Sequence, residues 1–216
     1  MPMSGTVENE KPVRPERPAR PDFLLHICCA PCSPHPIRVL KENYNLTLYF
    51  YNPNIHPESE YLLRLAETKK LAEIENIPLI AGGYQPENWI KTTLKYKGEP
   101  ERGKRCAICI GGRLQETAKK AADLGKEFFG TVLTVSPHKD AVMINKLGNA
   151  AAEGLARSGF ARSGLTEVVH FEADFKKREG FKISSRISRE LGFKRQNYCG
   201  CVYSRLEAIK AGRAVE

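Results

Sequence analysis

Short, almost uninterrupted apolar runs alternate with longer amphipathic ones from Phe23 onward. FLLHICC (23–29), LTLYFYN (46–52), IPLIA (77–81), FFGTVLTVS (128–136) and EVVHFEA (167–173) read as strands. They are apolar at nearly every position instead of alternating, the pattern of parallel strands covered on both faces. The gaps predict helices over 34–44, 58–75, 106–124, 138–157, 183–191 and 203–211. Ser33 is placed to cap the first, with prolines in its first turn. Tyr61, Leu62, Leu65, Ala72 and Ile74 set the apolar stripe of the second. Strand–helix alternation of this kind predicts an α/β fold: an open, mostly parallel, Rossmann-like sheet (HUP-like) with helices on both faces. The glycine-rich stretch from Gly148 to Gly164 reads as a helix that ends in a mobile loop. In such sheets ligands lie beyond the carboxyl ends of the strands.

Residues 1–22 differ in kind. They hold five of the fourteen prolines and almost no large apolar side chain. Pro12, Pro15, Pro18 and Pro21 recur every third residue, as do Arg14, Arg17 and Arg20, which would line one edge of a polyproline II helix. With four acids against four bases, the segment reads as a neutral, disordered tail. Residues 23–216 read as one α/β catalytic domain. The tail lacks an apolar core of the secretory type, and no apolar run approaches the roughly 18 residues of a membrane span. A cytoplasmic protein is expected, with no membrane partner. There, seven cysteines serve as metal ligands or redox thiols rather than disulfides.

Charge sharpens the picture. The chain carries a net +9, yet Lys91–Arg105 holds six basic against two acidic residues and Lys176–Arg195 eight against two. The remainder is therefore close to neutral, and clustered positive charge is the footprint of a polyanion. All seven cysteines fall in three groups, CCAPC (28–32), CAIC (106–109) and CGC (199–201), each at a turn or helix start. Buried structural cysteines would be scattered singly over core positions. Two CxxC pairs suit a tetrahedral zinc site. The surplus of thiols and the adjacent Cys28–Cys29 pair suit an iron–sulfur cluster. A thioredoxin-like dithiol would use only Cys29 and Cys32 and leave five cysteines idle.

Several segments carry a resemblance: LLHICCAPCS (24–33), YFYNPNIHP with EYLLR (49–64), RCAICIGGRLQETAKKA (105–121), LTVSPHKD (133–140) and DFKKREG…FKRQNYCGCVYS (174–204). In this order, over about residues 23–210, they resemble the QueH-type epoxyqueuosine reductases. The resemblance implies an oxidoreductase that removes the epoxide oxygen of epoxyqueuosine at the wobble position of tRNA with a GUN anticodon. It also implies a [4Fe–4S] cluster associated with Cys28, Cys29, Cys106 and Cys109, and a neighbouring second metal ion, iron, near Cys32, Cys199, Cys201 and Asp140; the last three thiols could instead include a redox pair. One departure is Lys194, where a tyrosine commonly precedes the arginine.

Epoxide deoxygenation consumes two electrons and two protons, and the sequence has no flavin or nicotinamide fingerprint, so an external low-potential electron donor is expected. His35, His138 and Asp140 are candidate proton donors near strand ends. Tyr51, Asn52, Asn54, Lys104, Arg105, Lys176, Lys177, Arg195, Gln196 and Tyr198 are the candidate substrate contacts. The cations among them would meet phosphates, and the tyrosines, with Tyr203, would stack a splayed base. Two other readings make different demands. An ATP-using thiolation enzyme needs a glycine-rich phosphate loop after the first strand, where CCAPCS stands. A zinc-stabilised, non-catalytic RNA-binding protein would be colourless and indifferent to reduction.

Overall fold

The computed structural model describes residues 20–158, 167–213 and 215. The expected tail, apart from Arg20, Pro21 and Asp22, and the expected loop before Gly164 lie outside the described residues. Five strands, β1 (Asp22–His26), β2 (Asn45–Phe50), β3 (Leu79–Ala81), β4 (Phe128–Thr131) and β5 (Val169–His170), form one sheet in the order β3-β2-β1-β4-β5. Every pairing is parallel. Among the described residues seven α-helices connect and cover it: α1 (Pro34–Leu40), α2 (Glu58–Glu75), α3 (Pro86–Thr93), α4 (Lys104–Asp123), α5 (Ala141–Arg157), α6 (Gly180–Glu190) and α7 (Val202–Lys210). This is the Rossmann-like α/β architecture expected from the apolar runs. No helix among the described residues is long and apolar enough to cross a membrane.

The strands are shorter than the runs that announced them. β1 stops at His26 and β4 at Thr131, and each is followed by a 3-10 turn, Ala30–Cys32 and Val132–Val135. Ile27, Val132 and Val135 remain fully buried beyond the strand ends, so their apolarity reports burial of the turns rather than extension. Side chains on alternate strand positions feed opposite faces. Phe23, Leu25, Leu46 and Leu48 pack with Ile37 and Leu40 of α1 and Leu71 and Ala72 of α2. Leu24 and Phe129 pack with Ile110, Leu114 and Ala118 of α4 and Ile144 and Ala151 of α5.

Three local expectations change. Helix α3 was not anticipated, because only Trp89 and Thr93 of its eight residues are buried and so short a stripe gives no period. Leu62 and Ile74 of α2 are 54% and 46% exposed. The buried stripe runs instead through Glu60, Tyr61, Arg64, Thr68, Leu71 and Ala72, polar residues being tolerated where i, i+4 bonds satisfy them: Arg64 to Glu60, and Thr68 to the Arg64 carbonyl. Ser33 does not cap α1. Its hydroxyl donates backward to the Cys29 carbonyl at 2.7 Å and tightens the cysteine turn.

His170 closes the sheet at β5. It is 6% exposed, packs against Phe129, and its Nδ1 lies 3.0 Å from Asn149 Oδ1. Burial, opposed weakly by Glu172, pushes its pKa from 6.5 down to about 4. The native state therefore binds fewer protons than the unfolded chain between those values, and stability falls as pH falls through that window, by up to about 3 kcal/mol for this residue. Urea midpoints compared at pH 7 and pH 4.5 are expected to differ less in His170→Asn than in wild type. An identical pH dependence in the two proteins would refute the assignment.

Candidate metal centre

Beyond β2 the chain runs to β3 at one edge, and β4 then returns to the other side of β1. The resulting crevice lies at the carboxyl ends of β1 and β4, the general position for a ligand in such a sheet. β1 delivers CCAPC into it. Pro31 and the 3-10 turn reverse the chain within three residues, so that Cys32 returns beside Cys28 and Cys29. The sulfurs of all three lie within 4.8 Å of one another, with Cys28 and Cys29 3.8 Å apart. Proton sharing follows from this proximity. Hydrogen bonds from Cys29 and Cys32 hold the Cys28 thiol well below its ordinary range. The reciprocal bonds hold Cys29 well above it, and Cys32 is pushed up to about 12.

The other four cysteines stand at two helix starts, outside this group of three. Cys106 and Cys109 occupy the first turns of α4, and Cys199 and Cys201 precede α7. These four line a small cavity together with Arg113 and Lys139. Cys28, Cys29, Cys32 and Cys199 line a larger cleft of about 380 Å³, which also borders Arg113 and Lys139. The two spaces adjoin, and between them they expose all seven thiols.

Three cations are sunk into the same region. Arg64 and Arg113 are each 3% exposed, and the Lys139 side chain is 12% exposed. Lys139 Nζ donates to Cys199 Sγ at 3.1 Å. Burial would raise the Cys199 thiol, but Lys139 and Arg113 outweigh it and leave the pKa lowered. Cys201 is pushed up to about 11 by burial and by Cys199. Arg64 donates to Glu60 at 2.6 Å and to the Cys199 carbonyl at 3.2 Å, while its second terminal nitrogen is buried with no partner. Gly200 makes that approach feasible: its φ is +113°, and a Cβ there would stand 2.9 Å from Arg64 Nη1.

The residues singled out in the sequence sort by position. His138 is exposed and lines the larger cleft with Arg195, Gln196 and Tyr198. Arg195 lies over the Phe181 ring, 4.4 Å from its centroid, and donates to Ser185. The Tyr198 hydroxyl donates to the His56 carbonyl at 3.1 Å. His35 lies elsewhere, its ring against Gly180 of α6. Asp140 caps α5, accepting from the backbone N–H of Val142 at 2.9 Å and Met143 at 3.2 Å. Tyr51 stacks on Tyr49, and Asn52 and Asn54 are both 1% exposed. Lys104 and Lys177 are exposed, whereas Lys176 donates to the Lys139 carbonyl at 2.9 Å. Arg105 is 2% exposed, donates to the carbonyls of Lys97 and Glu99, and lies 4.6 Å over Tyr203. It fastens α4 to α7.

Sequence reasoning passed over His26, Arg64, Arg113 and Lys139. His26 is fully buried in β1. The Tyr51 carbonyl can only accept, so His26 Nε2 donates to it at 3.1 Å, and Nδ1 of the neutral ring accepts from the Thr131 hydroxyl at 2.8 Å, whose oxygen also accepts from the Leu133 N–H. The available signal was a charge on an apolar stripe: Arg113 follows Ile110 by three residues and adjoins Leu114, both core residues, and Arg64 follows Tyr61 by three.

Comparison with known proteins agrees with this arrangement. Residues 23–207 match the family model described as "Epoxyqueuosine reductase QueH". Proteins of that name from Staphylococcus epidermidis and Histophilus somni are 37% and 38% identical over 202 and 183 residues, spanning 89% and 84% of this chain and 79% and 71% of theirs. One from Thermotoga maritima is 36% identical over 187 residues, covering 85% of this chain and 90% of its own. The matched span takes in every cysteine of the crevice, and the chain belongs to the epoxyqueuosine reductase QueH family.

Proposed function

We propose that this oxidoreductase converts the epoxide of epoxyqueuosine, at the wobble position of a tRNA with a GUN anticodon, to the cyclopentene of queuosine. The balance is two electrons from an external low-potential donor and two protons, with the epoxide oxygen leaving as water. The observation that carries the reading is the group of three sulfurs at Cys28, Cys29 and Cys32, with the other four cysteines and three buried cations lining the same cleft or the cavity beside it.

That donor set fits an iron–sulfur centre. Thiolates bind iron, and a cluster with its thiolate ligands is anionic. Arg64, Arg113 and Lys139 supply the opposite charge, and the unpartnered Arg64 nitrogen is a donor awaiting an acceptor such as a sulfur. Cys28, Cys29, Cys106 and Cys109 would hold the [4Fe–4S] cluster, leaving Cys32, Cys199 and Cys201 for a second iron or a redox pair. When bound, such a centre supplies low-potential electrons and a Lewis-acidic site for the epoxide oxygen.

The protein's own residues do the rest. His138, the proton-donor candidate that lines the cleft, protonates the departing oxygen; His35, packed against Gly180, and Asp140, capping α5, serve the scaffold around it. Tyr198 and the Phe181–Arg195 stack offer surfaces for a splayed base, and the cleft shields it from water. Lys104, Lys177 and Arg195 at the surface meet anticodon-arm phosphates. Replacing Lys104 and Lys177 together by alanine is expected to weaken tRNA binding and to reduce the slope of log affinity against log salt by about two, with bound iron unchanged. An unaltered slope would place the RNA elsewhere.

The decisive experiment is anaerobic purification with iron, sulfide and zinc analysis, followed by assay on tRNA carrying epoxyqueuosine with nucleoside mass spectrometry as the readout. Expected are a brown protein bleached by dithionite and reductant-dependent formation of queuosine. A colourless zinc protein that takes up no iron and sulfide would overturn the reading in favour of a zinc-stabilised RNA binder.

A further inference from the structure

Asn52 and Arg113 lie behind the cysteines, buried to 1% and 3% exposure, and of the two only Arg113 borders the cleft. Their hydrogen bonds form a continuous bridge. Asn52 Nδ2 donates at 2.8 Å to the carbonyl of Ile27, the residue before Cys28. Asn52 Oδ1 accepts from Arg113 Nη1 at 3.3 Å, and Arg113 Nε donates at 3.3 Å to the carbonyl of Cys109. We infer that Asn52 and Arg113 are positioning residues, a clamp that sets the spacing between the Cys28–Cys29 turn and the Cys106–Cys109 helix so that both pairs serve one centre. The inference rests on the iron–sulfur reading above.

The residue types suit the task. Only an amide presents a donor and an acceptor side by side, and a guanidinium projects several donors in a rigid fork. The Asn52 end is held in place: its own carbonyl accepts from the Ile55 N–H at 3.2 Å, and the preceding Tyr51 carbonyl accepts from His26. A neutral side chain could also have tied two carbonyls together. Burying a guanidinium that donates to an amide and a carbonyl oxygen is costly unless negative charge stands nearby. Burial disfavours the Arg113 charge, and the sulfurs of Cys109, Cys199, Cys28 and Cys201 offset that. The clamp thus has two separable parts, a fixed distance and a fixed positive charge.

The test uses the full chain, reconstituted anaerobically with iron and sulfide, and reads two quantities besides turnover: the rate at which an iron chelator bleaches the protein, and the reduction potential. Arg113→Lys keeps the charge but cannot reach both acceptors. It is expected to release iron at least tenfold faster with a potential close to wild type. Arg113→Gln also removes the charge, so the potential moves to more negative values as well. Asn52→Leu should release iron as fast as Arg113→Lys. Asn52→Asp, isosteric and still able to accept from Arg113, should release iron at a rate between wild type and Asn52→Leu, and serves if Asn52→Leu fails to fold. Wild-type release rates in Arg113→Lys and Asn52→Asp would overturn the clamp. So would variants that unfold equally with and without metal, since the pair would then serve the fold alone. If wild type takes up no iron and sulfide, the proposed function fails separately, and the clamp is read with cobalt(II). The sulfur-to-cobalt absorption band should then need at least tenfold more metal in Arg113→Lys than in wild type, and equal titrations would overturn it.

Discussion

Cys29→Ser is expected to lose most of its bound iron and to reduce epoxyqueuosine tRNA at least about a hundredfold more slowly than wild type, a loss beyond the 10- to 100-fold typical of groups that merely support a ligand. Cys29 is 4% exposed, at the middle of a turn whose three sulfurs lie within 4.8 Å. The Ser33 hydroxyl donates to the Cys29 carbonyl and Pro31 stands in the turn, which together hold its shape. A serine oxygen is a hard, far less acidic donor than a thiol and binds iron poorly in its place. The metal-free variant should melt within a few degrees of metal-free wild type, since the substitution removes little volume. Iron and sulfide content, the visible spectrum and turnover together check the prediction. Full iron content with normal turnover would take Cys29 out of the centre.

Gly180→Ala is expected to destabilise the protein by about 3 kcal/mol, the upper range for steric overpacking. A Cβ at this position would stand 1.9 Å from the Phe175 carbonyl oxygen and 2.6 Å from the His35 ring. The His35 ring could turn aside; the carbonyl cannot, because Phe175 is buried in the core and its N–H donates to Thr134 at 3.4 Å. Helix α6 must therefore lift from α1, carrying Phe181 and Ser184, which form one wall of the cleft. Denaturant midpoints should report the stability loss, and tRNA affinity should weaken while iron content holds. A midpoint unchanged from wild type would mean that the α1–α6 contact is looser than described.

The fold was legible because parallel strands covered on both faces must be apolar throughout, and β1, β2 and β4 are. The ends were not, since Ile27 and Val132–Val135 are equally apolar for a different reason: they roof the sheet. α3 left no trace, having only two buried positions. The cysteines were legible as chemistry because clustering at turns is visible in one dimension. Their cations were not. Lys139 looks in sequence like any solvated charge, and Arg64 and Arg113 offer only the faint signal of a charge beside core positions; the tertiary structure is what turns all three inward. Arg105 illustrates the converse. It sits in a basic stretch beside Cys106 and reads as a phosphate contact, yet its guanidinium is spent on Lys97, Glu99 and Tyr203.

The crevice draws its thiols from residue 28 at one extreme to residue 201 at the other. On the proposed reading the cluster thiols Cys28, Cys29, Cys106 and Cys109 are all made well before α7, whereas the second set waits for Cys199 and Cys201, just ahead of α7. On that reading, loading of the second site would follow synthesis of nearly the whole chain rather than guide the first steps of folding. Once in place, the centre joins the first strand of the sheet to the last helix, closing most of the chain into one loop. Loss of iron to oxygen would then open both ends together, and the outermost helix, α7, would be the first to exchange its amide protons.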